Sequence, residues 1–338
     1  MRHFRWFFLS SLLVLVVALM GPAPGLAADQ PPTAGGEKAA TAEGTSPPHI
    51  EATGRGQGFE PEAEATKGPE IPATFGPLVT DTAIPAEKGS FAIQPTFAYS
   101  RVLDNFSHHW GRTSTDGDYQ SFAMDYKLTY GLIENLEVFV DIPFAYNWAD
   151  VHGVSASSGN VGDLNLTFKY RIVEETASLP TVTALFATDF PTGDFKENPH
   201  DLGTDVTGGG SYAFTAGFNI SKYVAPFILY ANVWYSMLTS YDDGGPQYPG
   251  DIFTLNLAAE YPLTEKWIAL LELTSYWSGG RLFGPDTNVS HDALLSIIPA
   301  IEYMATEHFS LALGLNVDLV GKNTDATIGP LFSVIYAF

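Results

Sequence analysis

Apolar and polar residues alternate along most of the chain after Gly89, in runs of about ten residues. Such a period of two places the two sets on opposite faces of a β-strand, and it is too strict for a helix. Twelve runs predict twelve strands, at Ser90–Arg101, Ser121–Tyr130, Leu136–Asn147, Val161–Ile172, Thr181–Phe190, Gly209–Ile220, Val224–Leu238, Asp251–Tyr261, Lys266–Trp277, Asp292–Met304, Phe309–Val320 and Ala326–Phe338.

The connections between these runs are alternately short, as at Gly131–Asn135, and long, as at Pro191–Gly208. Short turns at one end and long loops at the other are typical of outer-membrane barrels, and an even strand number puts both chain ends on the periplasmic side. The pattern therefore predicts an all-β fold, an antiparallel transmembrane β-barrel of about 12 strands. For the last strand alone, the edge of a soluble sandwich is the alternative.

Charged residues occupy every second position in several strands, where they face a polar interior. A charge on the lipid face near the midplane would cost about 2–4 kcal/mol, so these residues are expected to point inward. We expect them to form a network of lumen salt bridges, and as lining residues of a passage they could also touch a solute. The predicted lumen-lining residues are Asp125, Lys127, Glu137, Asp141, Asp163, Lys169 and Arg171.

The region before the first strand has two parts. Residues 1–27 combine Arg2 and Arg5 with an apolar run and a small-residue cleavage site, which predicts a secretory signal peptide. Residues 28–88 are rich in Pro, Gly and Glu and poor in aromatics, which predicts a disordered periplasmic arm. A short ordered plug at Ile71–Ile84 is the alternative for the end of this arm. Residues 89–338 form the predicted barrel.

The amino-acid composition excludes several kinds of covalent link and binding partner. The sequence has no cysteine, which excludes disulfides and a lipoprotein anchor. The formal charge of −22 becomes about −24 once the two arginines of the signal are removed, so nucleic acid is not an expected partner. The acidic excess fits solvated loops or a cation-favouring pore mouth.

Catalytic chemistry has little support in the sequence. The exported histidines fall in the arm, the loops or the turns, and His108-His109 could meet His291 above the barrel beside Asp116 and Asp118. Their spacing is not that of a zinc site, and there is no phosphate-binding glycine fingerprint. We therefore expect no enzyme activity, no catalytic residues, no cofactor and no metal.

Three stretches carry a family resemblance. They are Gly162–Arg171 (GDLNLTFKYR), Asp189–Asp194 (DFPTGD) and the last strand, whose aromatic end at Phe338 resembles the signature that the barrel assembly machinery reads. The chain resembles the outer-membrane family named after the meta-cleavage pathway of phenol degradation. The resemblance implies a barrel in the bacterial outer membrane that contacts lipid and passes hydrophobic or aromatic small-molecule solutes.

Three functional hypotheses follow. The first is an outer-membrane channel or transporter for passive uptake of small hydrophobic or aromatic molecules. The second is a non-conducting structural or partner-binding barrel whose acidic arm engages periplasmic proteins, which a lumen filled by its own side chains would favour. The third is an enzyme at the outer rim of the barrel.

Overall fold

The computed structural model describes residues 73–280, 282–283 and 291–338, so the predicted signal peptide and most of the predicted arm lie outside the described residues. Pro69–Phe338 forms one compact unit. The predicted all-β fold is confirmed by twelve long strands, β1 (Phe91–Phe106), β2 (Asp118–Ile133), β3 (Leu136–Val151), β4 (Leu164–Val173), β5 (Thr181–Phe190), β6 (Ala213–Val224), β7 (Phe227–Leu238), β8 (Ile252–Pro262), β9 (Trp267–Ser278), β10 (Ala293–Thr306), β11 (Phe309–Lys322) and β12 (Thr324–Ala337).

The twelve strands close into a barrel. Each strand pairs antiparallel with its neighbours in sequence, and β12 pairs back with β1, from Ala337 opposite Ala92 to Thr324 opposite Phe106. Closure removes the free edges that an open sheet would present, so the backbone groups of every long strand have partners on both sides. Among the described residues, no helix is long and apolar enough to cross a membrane.

The alternation seen in the sequence becomes an inward and an outward face. On β4, Lys169 is 1% exposed, whereas its neighbours Phe168 and Tyr170 are 40% and 49% exposed. Large apolar side chains at the same outward parity recur on the other strands, including Phe186, Phe218 and Leu313. Water does not tolerate so extensive an apolar surface, whereas lipid does. The barrel is therefore built to span a lipid bilayer.

The two ends of the barrel differ. At the end that carries Phe91 and Phe338, the connections are two to seven residues long, at 134–135, 174–180, 225–226, 263–266 and 307–308. At the other end they are longer, apart from the single residue Asn323 between β11 and β12. We call these the turn end and the loop end. The first three strands exceed their predicted lengths at the loop end, where Val154–Val161 pairs with the outer half of β3.

Residues 73–88, here called the plug segment, precede β1 and have no regular secondary structure. The segment enters β1 beside Gly131, whose carbonyl oxygen accepts the Gly89 N–H at 2.8 Å. A Cβ atom on Gly131 would lie 1.9 Å from the Glu87 carbonyl oxygen, so only glycine fits there. For these residues the prediction of a disordered arm must be corrected. The structure agrees with the alternative of an ordered plug, which it describes from residue 73 onward.

Candidate functional site: the plugged lumen

The plug segment lies inside the barrel, because inward side chains from every strand between β2 and β10 hold it. Most of these contacts use backbone groups of the segment, which has no sheet partner of its own. The backbone donors reach Glu302 from Phe75 at 3.4 Å, Glu272 from Leu78 and Thr80 at 2.7 Å each, Asn232 from Asp81 at 2.8 Å, Ser221 from Ala83 at 2.9 Å and Glu137 from Ala86 at 2.6 Å.

Asp81 is the charged centre of the plug segment. Its carboxylate lies 3.1 Å from the Lys169 Nζ atom and 3.4 Å from the Lys127 Nζ atom, and it accepts the Asn219 amide at 2.6 Å. Burial alone would raise the pKa of Asp81, but the positive charges of the two lysines outweigh burial and lower this pKa below its usual value. Lys169 also pairs with Glu137 at 3.0 Å.

Three glutamates on neighbouring strands hold the other half of the segment. Glu260 on β8, Glu272 on β9 and Glu302 on β10 are 0%, 0% and 1% exposed. Within the described part of the chain, no lysine, arginine or histidine forms an ion pair with any of them. Their partners are instead N–H and O–H groups, most of them from residues 74–80. Carboxylates of the barrel wall thus accept the backbone hydrogen bonds that a sheet partner would otherwise accept.

Apolar contacts complete the docking. Leu78 packs against Ile298 of β10 and Ala312 of β11, and Phe75 packs against the cluster formed by Ile268, Leu270 and Met304. A Cβ atom on Gly314 would lie 2.8 Å from the Leu78 side chain, so the glycine of β11 makes room for this leucine. Both polar and apolar contacts therefore hold the plug segment against the barrel wall.

A cavity of about 850 Å³ remains beside the plug segment. It runs along the β1–β7 side of the lumen, and its wall includes residues near the turn end, such as Ala92 and Ala337. The cavity combines carboxylates with aromatic rings, contributed by Asp125, Asp141, Asp189, Phe139, Tyr230 and Trp234. The Lys127 Nζ atom sits 3.9 Å from the Phe139 ring centroid. The space has the size and mixed lining of a small-molecule site.

The structure divides the seven residues predicted to line the lumen. Asp125 and Asp141 face the cavity, and Lys127, Glu137 and Lys169 border it while they hold the plug segment.

Asp163 and Arg171 lie elsewhere and do not line the cavity. Asp163 precedes β4 and accepts the Gly193 and Gly209 N–H groups at 2.9 and 2.7 Å, so it fixes the loop that follows β5. Arg171 lies near the opposite end of β4 and donates to the Asn135 side chain at 2.9 Å.

Several residues of the site escaped sequence reasoning. The three buried glutamates and Asp81 were not predicted, nor were the lumen residues Asp189, Asn219 and Asn232. A signal was present, because each glutamate is the only charged residue at an inward position of its strand. A lone acid among apolar neighbours marks a position that needs a partner inside the barrel.

The loop histidines do not form a metal centre in the described residues, which contain no group of three or more metal-ligating side chains. His108 and His109 stack with ring centroids 3.7 Å apart. His152 lies 3.2 Å from Asp116, with both side chains largely exposed.

The fold is supported by its similarity to one solved structure in particular. The COG4313 outer membrane channel from Pseudomonas putida F1 superposes with a TM-score of 0.64 at 15% sequence identity, covering 78% of this chain and all of that one. Weaker similarity, with a TM-score of 0.44 at 10% identity, joins 75% of this chain to 90% of the translocator domain of the autotransporter NalP from Neisseria meningitidis. The CymD monoaromatic hydrocarbon channel gives a TM-score of 0.39 at 9% identity, over 75% of this chain and 89% of that one.

The sequence itself matches a known family over residues 104–294, from the end of β1 to the start of β10. This range is more than half of the chain and includes two of the three stretches that carry the resemblance, Gly162–Arg171 and Asp189–Asp194. The chain therefore belongs to the family described as "Putative MetA-pathway of phenol degradation".

Proposed function

We propose that the chain is a channel of the bacterial outer membrane for passive uptake of small hydrophobic or aromatic molecules. The observation that carries this proposal is the cavity of about 850 Å³ inside a closed barrel, bounded on one side by the chain's own plug segment. Family membership supports the same function, and so does the similarity of the barrel to a solved outer membrane channel.

The lining suits solutes that are aromatic but carry some polarity. Trp234 lines the cavity and is only partly buried, so it offers a ring face for stacking, which is worth about 0.5–1.5 kcal/mol beyond burial for an aromatic pair. Asp125 and Asp141 face the same space and can accept a hydrogen bond from a hydroxyl or amine of the solute. The proposed solute-contacting residues are therefore these carboxylates, together with Lys127 at the plug.

Passage through the lumen requires the plug segment to move. Its ion pairs and hydrogen bonds reach β2 to β10, and Leu78 adds contacts to β10 and β11, so the docked segment closes much of the cross-section. The same observation favours the second candidate, a non-conducting structural barrel, if the segment never leaves. The two functions therefore differ in one property, the mobility of residues 73–88.

The remaining assignments belong to the same proposal. We infer that the barrel acts in passage and not in catalysis. Its partners are outer-membrane lipid, the small-molecule solute and the assembly machinery, which would recognise the strand ending at Phe338. In support of this last role, the Phe338 N–H donates to the Phe91 carbonyl oxygen at 2.8 Å, so the final residue takes part in closing the barrel.

The test is single-channel conductance of the refolded chain in a planar bilayer, with and without aromatic solutes. Deletion of residues 73–88 should raise conductance and keep a partial block by aromatic solutes. The matched control deletes residues 28–72 and keeps the plug segment, so it should behave as the full chain. A folded barrel that stays silent in both deletions would refute the channel and favour the structural role.

A further inference from the structure

The hydroxyl of Thr74, on the plug segment, lies between two buried carboxylates of the barrel wall. Its Oγ1 atom is 3.1 Å from Glu260 Oε1 and 3.0 Å from Glu302 Oε2. The same oxygen accepts the Gly76 N–H at 2.9 Å. This contact is central to the docking of residues 74–80, because it joins the segment to β8 and β10 at one atom.

The number of protons at this contact can be counted. A hydroxyl has one hydrogen and two lone pairs, and the Gly76 N–H uses one lone pair. The hydrogen can form a near-linear bond to only one carboxylate, so the second lone pair faces an oxygen of the other. Two acceptors at about 3 Å repel each other unless a hydrogen lies between them. One of the two glutamates must therefore carry it.

We propose that Glu260, Thr74 and Glu302 hold one shared proton, and that docking of the plug segment depends on this proton. The proposal describes the regulation of the channel proposed above, and only its consequence for transport rests on that function. The latch formed by these three residues would loosen when the proton is lost, because two buried negative charges would then face one hydroxyl.

Among the described residues, no neighbouring group can take the place of this proton. The second oxygen of Glu260 accepts the Tyr230 hydroxyl at 3.0 Å, and that of Glu302 accepts the Phe75 N–H at 3.4 Å. The further groups that face the pair are Ser310 of β11, which is neutral, and Glu272 of β9, which is itself buried and acidic. Outside this shell, Glu175 is paired with Lys222 at 3.4 Å.

The sign of the pH dependence follows from the two states of the segment. When residues 73–88 leave, Glu260 and Glu302 face the lumen water and release their protons at the acidic pH where exposed carboxyl groups ionise. Docking then requires the uptake of one proton. Above that pH, the docking constant should fall about tenfold per pH unit until the docked pair itself ionises. The Asp81 ion pairs respond in the opposite sense, since they weaken only in acid.

The experiment measures exposure of the plug segment and needs no transport. The chain has no cysteine, so Thr80→Cys introduces a single thiol at a position that is 1% exposed when the segment is docked. Its labelling by a membrane-impermeant maleimide is followed from about pH 5.5 to about pH 9 in reconstituted barrels. The rate is divided by that of Ser178→Cys, a thiol on an exposed turn, to remove the intrinsic pH dependence of the reaction.

The expected result is a normalised rate that rises about tenfold per pH unit over part of this range. Adding Glu302→Gln should abolish the rise, because an amide N–H replaces the shared proton permanently. The control Glu307→Gln removes an exposed carboxylate from the adjacent turn and should leave the rise unchanged.

Two outcomes overturn the proposal. One is a flat profile in the Thr80→Cys chain, and the other is a rise that persists in both Glu302→Gln and Glu260→Gln. The second variant tests the same proton if the first fails to fold, as judged by heat-modifiable migration. A barrel that shows the pH dependence but never conducts would refute the channel while leaving the proton latch intact.

Discussion

Replacement of Asp81 by asparagine should release the plug segment. Asparagine keeps the shape of the side chain but removes the charge that Lys127 and Lys169 share. Lys169 would retain Glu137, whereas Lys127 would lose its only ion-pair partner among the described residues. The loss falls on the docked state alone, because both lysines would face lumen water once the segment leaves.

The magnitude can be set from burial. Removing one partner of a buried ion pair costs about 3–5 kcal/mol. The side chains of Asp81 and Lys127 are 13% and 22% exposed, so solvent screens part of this interaction and the lower end applies. A loss of about 3 kcal/mol changes an equilibrium roughly a hundredfold, since each 1.4 kcal/mol is about tenfold. The ratio of closed to open channels should fall by about this factor in Asp81→Asn.

Single-channel recording in planar bilayers measures this ratio directly. The matched control is Glu87→Gln, which removes a carboxylate from the exposed end of the same segment and should leave gating unchanged. Because the pKa of Asp81 is lowered, its contribution is present above about pH 4 and is lost as the pH falls through the lowered pKa. An Asp81→Asn ratio within about threefold of the original, or an equal shift in Glu87→Gln, would refute this role of the Asp81 ion pairs.

Three further predictions concern the wall and the cavity. Gly329→Ala should lower the free energy of unfolding by at least about 1–3 kcal/mol in urea titration, because the new Cβ would lie 1.6 Å from the Tyr99 carbonyl oxygen across the β1–β12 seam. Deletion of Phe338 should reduce the heat-modifiable, folded fraction in outer membranes, and an unchanged fraction would contradict its assembly role. Asp125→Asn with Asp141→Asn should shift the reversal potential in a salt gradient toward anion permeation, and an unchanged potential would mean that ions bypass the cavity.

The barrel wall could be predicted because apolar residues that face lipid alternate along each strand with polar residues that face the lumen. On β4 the alternation of Phe168, Lys169 and Tyr170 states which face meets lipid and which meets the lumen, and pairing with the neighbouring strands follows from the order of the runs. Boundaries were less accurate at the loop end. There β1 to β3 continue beyond the apolar pattern, since backbone pairing needs no particular side chain.

The plug segment could not be derived in the same way. Its composition is that of a disordered arm, and the barrel holds it mainly through backbone N–H groups, which every residue except proline possesses. The partners that order it lie far away in the sequence, so no local pattern reveals them. Asp81 and Thr74 carry the side-chain contacts, yet each looks like an ordinary polar residue of a Pro-rich stretch.

Recognition through the backbone has a consequence for how this sequence can drift over evolutionary time. Glu272 accepts hydrogen bonds from the backbone N–H groups of Leu78, Val79 and Thr80, and these bonds do not depend on the identity of the side chains. Neutral substitutions should therefore accumulate at Val79, whose side chain is 41% exposed, while the glutamates of the wall stay under constraint. Relatives can then differ widely in the sequence of the plug segment and still bind it in the same way. The requirement is that the segment keeps backbone N–H groups opposite the glutamates of the wall.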